Sequence, residues 1–297
     1  MPEFRPISLA DKPLFDAALA AEHTRNSTLS FGNVYLWSLL CRRNVAELDG
    51  RLGIEFLCSS GDPFFVFPAG SGPLAPAVEA LSERARSKGR PLELRGLTAA
   101  ERDALEAACP GRFLFERDAD NDDYVYSAEA LSTLRGKKLH AKRNFCNRFE
   151  LAHRWRSEKL TAALFPDVLA LLDRWDAERG GGSDDENQAI RSALSHWNAL
   201  DMQGCVLYAE DAPAAFSFGE YLSPDTFDTH FEKAEESIPG AYPMVCRELV
   251  RQLMAENAGL LYINREEDMG IPGLRRAKQE WFPLFMLEKY TAREREA

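Results

Sequence analysis

Residues 260–290 read LLYINREEDMGIPGLRRAKQEWFPLFMLEKY, and the order of residue types within them decides the fold class. Leu260-Leu261-Tyr262-Ile263 has the length and composition of a buried strand, and it stops at five polar residues, Asn264-Arg265-Glu266-Glu267-Asp268. Gly270 and Gly273 bracket Pro272, which predicts a turn before a short helix over 274–280; Pro283 then leads into a second apolar run over 284–287. Strand, charged loop, short helix, strand is an α/β pattern, and open α/β sheets place their chemistry at strand ends of this kind. Five ionisable or amide groups beside a buried strand are costly unless they pair with one another or with a ligand, so the segment predicts at least a network.

Working outward, residues 203–259 continue the pattern. Strands are expected over 205–209, 214–221 and 226–233, with turns at Asp211-Ala212-Pro213 and Ser223-Pro224-Asp225, then a helix over 241–257 stopped by Gly259. Upstream, the amphipathic helix 162–179 is followed by Gly180-Gly181-Gly182-Ser183, read as a mobile linker or lid, and by a second helix over 187–200. The segment from Arg135 to Lys159 holds nine Lys and Arg against Glu150 and Glu158, in a chain whose formal net charge is −11. Part of that charge lies on one face of a helix over 136–149, either as a solvated face or as a contact for an anionic partner. Residues 1–116 alternate short strands and helices, with Asp49-Gly50 as a hairpin turn.

The chain has 297 residues, 45% of them hydrophobic and 28% charged, which suits a large core and two domains. Its acidic balance argues against nucleic-acid or membrane-surface binding by the whole molecule. No apolar run reaches the roughly 18 residues of a membrane helix, and the first residues lack signal-peptide features, so a cytoplasmic protein is expected. The six cysteines show no CxxC pair and are expected as reduced core thiols. His140, His153 and His196 lack metal-ligand spacing, and no Walker loop, dinucleotide fingerprint or GxSxG elbow occurs; neither a metal nor a bound cofactor is expected.

The segments FGNVYLW (31–37), YVYSAEALSTLRGKKLHAKRNFCNRF (124–149), THFEKA (229–234), GAY (240–242) and residues 264–290 resemble the bacterial family containing the C-terminal catalytic domain of phosphatidylglycerol lysyltransferase. The resemblance implies an α/β (α+β) fold of two tandem acetyltransferase-like domains, related to the GCN5-related N-acetyltransferases, with mixed, mainly antiparallel sheets. We expect the first at 1–135 and the second, with the candidate active site, at 136–297. It further implies that an aminoacyl group leaves tRNA for an acceptor. The lipid-modifying relatives carry a membrane domain ahead of this unit. The present sequence does not, so a small or peptide-like acceptor is expected instead of a phospholipid.

Acyl transfer needs a base for the nucleophile, donors for the oxyanion and a grip on the acyl donor. His230 and Glu232, two apart on one strand, are expected on one side, facing the end of the strand that precedes Asn264. The candidate catalytic residues are Glu232, Glu266, Glu267, Asp268 and His230, drawn on as a base or as an acidic clamp for an aminoacyl ammonium. Lys142, Arg143, Asn144, Lys233, Tyr242, Asn264, Arg265 and Lys278 are the candidate substrate-binding residues, the first three offering tRNA a basic segment. A structural ion-pair network would use the same acidic and basic residues. At the helix expected from Ala241, the run Ile238-Pro239-Gly240-Ala241-Tyr242-Pro243 has one glycine and two prolines, which remove N–H donors from the place where coenzyme A phosphates would sit. Coenzyme A is therefore the weaker donor. Two alternatives stand beside aminoacyl transfer: a coenzyme A-dependent N-acyltransferase, and a catalytically silent protein that binds an anionic metabolite.

Overall fold

The computed structural model describes residues 2–58, 62–178 and 184–295; the glycine run and Ser183 lie outside the described residues. In chain order the principal elements are β1 (Arg5–Pro6), α1 (Lys12–Glu22), α2 (Phe31–Leu36), β2 (Arg42–Glu47), β3 (Leu52–Leu57), β4 (Phe64–Phe65), α3 (Leu74–Arg86), β5 (Glu93–Thr98), α4 (Ala99–Ala108) and β6 (Phe113–Arg117). There follow β7 (Asp123–Ser127), α5 (Ala128–Thr133), α6 (His140–Ala152), β8 (Trp155–Lys159), α7 (Phe165–Glu178), α8 (Asp184–Ser195), β9 (Gln203–Ala209), β10 (Ala212–Ser223) and β11 (Thr226–Ala234). The chain ends with α9 (Ala241–Glu256), β12 (Tyr262–Asn264), α10 (Pro272–Gln279), β13 (Phe285–Leu287) and β14 (Lys289–Glu294).

Two compact units result: residues 1–123 with 267–270 and 286–297, and residues 124–266 with 271–285. The expected division at 135/136 differs from these bounds because each sheet takes a strand from the far half of the sequence. The first sheet has the order β1-β2-β3-β4-β5-β14-β6 and the second β13-β7-β12-β11-β10-β9-β8. Both run through three antiparallel pairings to one parallel pair, β4 with β5 and β11 with β12. Next to that pair sits the distant strand, β14 in the first sheet and β7 in the second.

In the first unit, Asp49 and Gly50 both take positive φ, 49° and 83°, and close the β2–β3 hairpin as their residue types predict. Cys41, just before β2, and Cys58, just after β3, are disulfide-bonded with Cα atoms 4.4 Å apart. The expectation of six reduced thiols fails for this pair, since the ladder that sets Arg42 opposite Leu57 also brings the cysteines together. Cys109, Cys146, Cys205 and Cys246 are free and buried. In α4, Thr98 and Glu101 form a reciprocal cap: the Glu101 N–H donates to Thr98 Oγ1 at 3.2 Å, and the Thr98 N–H to Glu101 Oε2 at 2.6 Å.

The second unit packs helices on both faces of its sheet. Cys205 of β9 points at α9, its thiol 3.8 Å from the Val245 carbonyl. The opposite face carries Phe216, Phe218 and Phe231, fully buried, with Phe218 stacked on Phe216 at 5.9 Å and tilted against Phe231 at 5.1 Å. Each contributes about 2 kcal/mol by removal of apolar surface from water.

Candidate functional site at the parting of two strands

β11 and β12 pair over three residues only, Thr226 with Tyr262, Phe227 with Ile263 and Asp228 with Asn264. Beyond Asp228, β11 runs on beside β10 to Ala234, whereas the chain after Asn264 stays with β7. There the Arg265 N–H donates to the Tyr124 carbonyl at 3.0 Å and the Tyr124 N–H to the Glu266 carbonyl at 3.1 Å. The parallel strands therefore part at the carboxyl end of β12, where open sheets present ligands. The side chains meeting there come from β10, β11 and residues 264–266.

A one-residue irregularity sorts those side chains onto two faces. Across β10 and β11, Glu220 is opposite Asp228, Phe218 opposite Phe231 and Ser217 opposite Glu232, while His230 has no opposite number. Opposed residues share a face, so this β-bulge puts Asp228 and Phe231 on one side and Glu232 on the other. His230 lies with Asp228. The expectation that His230 and Glu232 share a side is overturned, because residues two apart do so only in an unbroken strand. Gly219 permits the close approach at the bulge: a Cβ there would lie 1.7 Å from the Asp228 carbonyl oxygen.

On the first face, His230 Nδ1 is 2.8 Å from Glu266 Oε1 and 3.7 Å from Asp228 Oδ2, and Nε2 is 3.1 Å from Glu220 Oε1. The imidazole is 1% exposed and Asp228 0%, whereas the Glu266 side chain is 22% exposed and forms the open edge. Burial opposes a charge on His230, but Asp228, Glu220 and Glu266 outweigh it and raise its pKa well above the ordinary value. Asn264 is buried and accepts the Glu266 N–H at 2.7 Å, which holds Glu266 at φ 57° and turned toward the ring. Farther along this face, Lys233 bonds Glu186 at 2.6 Å and lies 3.7 Å from the Trp175 ring centroid.

The second face carries a different pair. Arg265 Nη2 donates to Glu232 Oε1 at 2.7 Å, and Ser217 Oγ donates to Glu232 Oε2 at 3.3 Å. The guanidinium lies 5.9 Å from the Tyr126 ring and 5.5 Å from the Trp281 ring, and the Lys278 ammonium donates to the Arg265 carbonyl at 2.6 Å. Arg265 Nη1 is buried without a hydrogen-bond acceptor among the described residues. Burial works against the charge of Arg265, and Glu232 more than restores it. Burial pushes up the nearby thiols of Cys205 and Cys246, the latter to about 12 with Glu232 adding to the effect. Neither cysteine supplies a thiolate at neutral pH.

Other expected site residues stand elsewhere. Glu267 and Asp268 belong to the first unit, where buried Asp268 accepts the Gly270 N–H at 2.9 Å. Arg143 donates to the Gly136 carbonyl at 3.3 Å and contacts His140 Nδ1 at 3.0 Å, while Asn144 contacts His140 Nε2 at 3.0 Å. The first bond fastens the α5–α6 connection and the other two lie within α6. Lys142 reaches Glu280 at 3.3 Å and the Trp281 ring at 5.0 Å. Tyr242 is half-buried in the first turn of α9. Gly240 caps that helix with φ 95°, and a Cβ there would lie 2.6 Å from the Phe145 carbonyl, so α6 closes over the start of α9. Asp228 and Glu220 were missed: the Asp-x-His-x-Glu alternation points to the first, but only the register across β10 reveals the second.

Two mixed seven-stranded sheets, each with a parallel pair and covering helices, define a tandem acetyltransferase-like fold. A tandem GNAT protein from the clavulanic acid biosynthesis pathway shares it, at TM-score 0.52 and 10% identity over 100% of both chains. The chain belongs to the phosphatidylglycerol lysyltransferase C-terminal family, whose model matches residues 20–293. It is similar to a conserved protein of unknown function from Bacteroides thetaiotaomicron, at 34% identity and TM-score 0.92 over 99% of this chain and 100% of that one. L-PGS from Bacillus licheniformis aligns over 97% of this chain and 93% of its own at 14% identity and TM-score 0.67, a likeness of fold. No curated protein matches the chain. No helix among the described residues is long and apolar enough to cross a membrane.

Proposed function

We propose that the second unit transfers an aminoacyl group from aminoacyl-tRNA to an amine of a small or peptide-like acceptor, on the Glu232–Arg265 face. The observation that carries this reading is Arg265 Nη1, a buried charged donor with no acceptor among the described residues, beside a carboxylate at the parting of β11 and β12. A buried donor left unsatisfied costs about 1–3 kcal/mol, which an oxygen of a bound ligand would recover. An ester carbonyl placed at Nη1 gains most when it becomes an oxyanion, which is transition-state stabilisation. In the step itself the acceptor nitrogen forms the new C–N bond while Glu232 takes its proton. The ester C–O bond breaks, and the proton passes to the departing ribose oxygen, leaving tRNA with a free hydroxyl. Family membership supports an acyl- or aminoacyl-transferase fold. Favouring aminoacyl-tRNA over coenzyme A, Pro239 and Pro243 lack N–H groups and the Phe145 carbonyl covers Gly240 at the α9 start where a pyrophosphate would bind.

The test is turnover by the purified chain with a mixed aminoacyl-tRNA pool and, separately, acetyl-coenzyme A, each with a mixed amine and dipeptide acceptor set. Aminoacyl transfer that is lost in Glu232→Gln and Arg265→Lys supports the reading. Full activity of Glu232→Gln overturns the site. Consumption of acetyl-coenzyme A alone moves the donor to acyl-coenzyme A, and turnover of neither favours a silent binding protein.

A further inference from the structure

We infer that the His230 face, opposite Glu232 and Arg265, is a binding site for a divalent first-row transition ion such as Zn2+ or Mn2+, held by His230 Nδ1, Asp228 and Glu266. Among the described residues, one ligand atom from each of these three lies within 4.8 Å of the other two. Donors bound to one such ion at about 2.0–2.2 Å stand roughly 3 Å apart. His230 Nδ1 and Glu266 Oε1 already meet that spacing at 2.8 Å, and Asp228 Oδ2, at 3.7 Å from Nδ1, needs a shift of less than about 1 Å.

The orientation of the imidazole is the second argument. Metal-bound imidazoles commonly give their other ring nitrogen to a carboxylate, which fixes the tautomer and the ring plane. Here Nε2 is held by Glu220 at 3.1 Å, so Nδ1 is the nitrogen turned toward Asp228 and Glu266. One borderline nitrogen and two hard oxygens suit a transition ion better than Mg2+ or Ca2+, which favour oxygen alone. Three protein donors leave coordination positions open, and Glu266 is the donor that borders solvent. Asp228 and His230, two apart on β11, share this face by ordinary strand alternation, and the β-bulge after them turns Glu232 to the other face.

The test needs no substrate, so it stands or falls separately from the transfer reaction. The full chain, stripped with a chelator, is titrated with Zn2+ against a chromophoric chelator and with Co2+ while its d–d absorption is recorded. One ion per chain with a Kd of about 1 µM or below is expected, with Mg2+ and Ca2+ failing to compete at a 100-fold excess of about 100 µM. His230→Ala and Asp228→Asn should each weaken binding about 100-fold and Glu220→Gln about 10-fold, with His196→Ala as the unchanged control. X-ray absorption of the Zn2+-loaded wild-type chain decides the matter if those variants misfold: one imidazole with oxygen neighbours is the expected shell. Absence of stoichiometric binding, binding unaffected by the His230 and Asp228 changes, or a sulfur or multi-imidazole shell overturns the inference.

Discussion

The two sheets share a topology and differ at their parallel pairs. In the first, β4 and β5 meet through one residue pair, Phe65 with Leu94, and β5 runs straight into α4 with Thr98 as the cap. The charge of Glu55 there, 0% exposed, is closed by Arg84 at 3.0 Å, Lys88 at 2.6 Å and Asn44 at 2.8 Å, although Arg43 of β2 has buried guanidinium nitrogens without an acceptor among the described residues. In the second, three residue pairs precede the parting of the strands, and a charged loop follows β12 where the first sheet has a helix. Its charges are arranged differently: Arg265, with one donor lacking an acceptor among the described residues, stands beside the carboxylate of Glu232 at the strand opening, and an imidazole is set among three carboxylates. A topology that recurs does not fix where chemistry resides. What differs is whether the strand that follows the crossover ends in a cap or in polar residues whose side chains face the opening.

Four changes sharpen or break that contrast. The largest effect is expected on turnover, where Glu232→Gln should lower kcat by about 100- to 10,000-fold if the residue is the base, measured well below the melting transition because loss of the charge facing buried Arg265 should also cost about 1–3 kcal/mol. Next, Gly219→Ala forces a Cβ against the Asp228 carbonyl and should destabilise the second unit by about 3 kcal/mol, read from urea unfolding; an unaltered midpoint would mean the bulge relaxes freely.

A smaller effect belongs to the first unit. Arg84, Lys88 and Asn44 overcome the burial of Glu55 and hold its pKa below the ordinary value of 4.5. Its stabilisation is full above 4.5, where the unfolded carboxyl is also ionised, and is lost as pH falls through the lower native pKa. Glu55→Gln should therefore lose about 1–3 kcal/mol at pH 7 and flatten the acid limb of the stability profile. A limb of unchanged slope would assign acid sensitivity to other carboxylates. The smallest effect is that of Lys142→Glu, which should weaken aminoacyl-tRNA binding a few-fold and lower the salt slope by about 1 to 2. Binding with an unchanged slope would remove α6 from the tRNA contact.

Much of the second unit is legible from residue types. The apolar run ending at Asn264, the Gly-Pro-Gly turn and the helix ending before Gly259 each follow from local preferences, and α9 and β12 form within a few residues of the expected bounds. The pairing of Glu232 with Arg265, and of His230 with Glu266, falls within the predicted pool because strand ends collect charge. Arg143 turns out to hold the α5–α6 connection, since a count of basic residues does not tell a bond to a backbone carbonyl from a solvated charge.

The sequence by itself determined the alternation of strands and helices, the family resemblance and the charged end of β12, because these depend on composition and on spacing within single segments. Only the tertiary structure decided the strand exchange between the halves, the Cys41–Cys58 bond, and the side of β11 on which each polar residue stands. These depend on register between segments distant in sequence, and one inserted residue, His230, reverses which neighbours share a face.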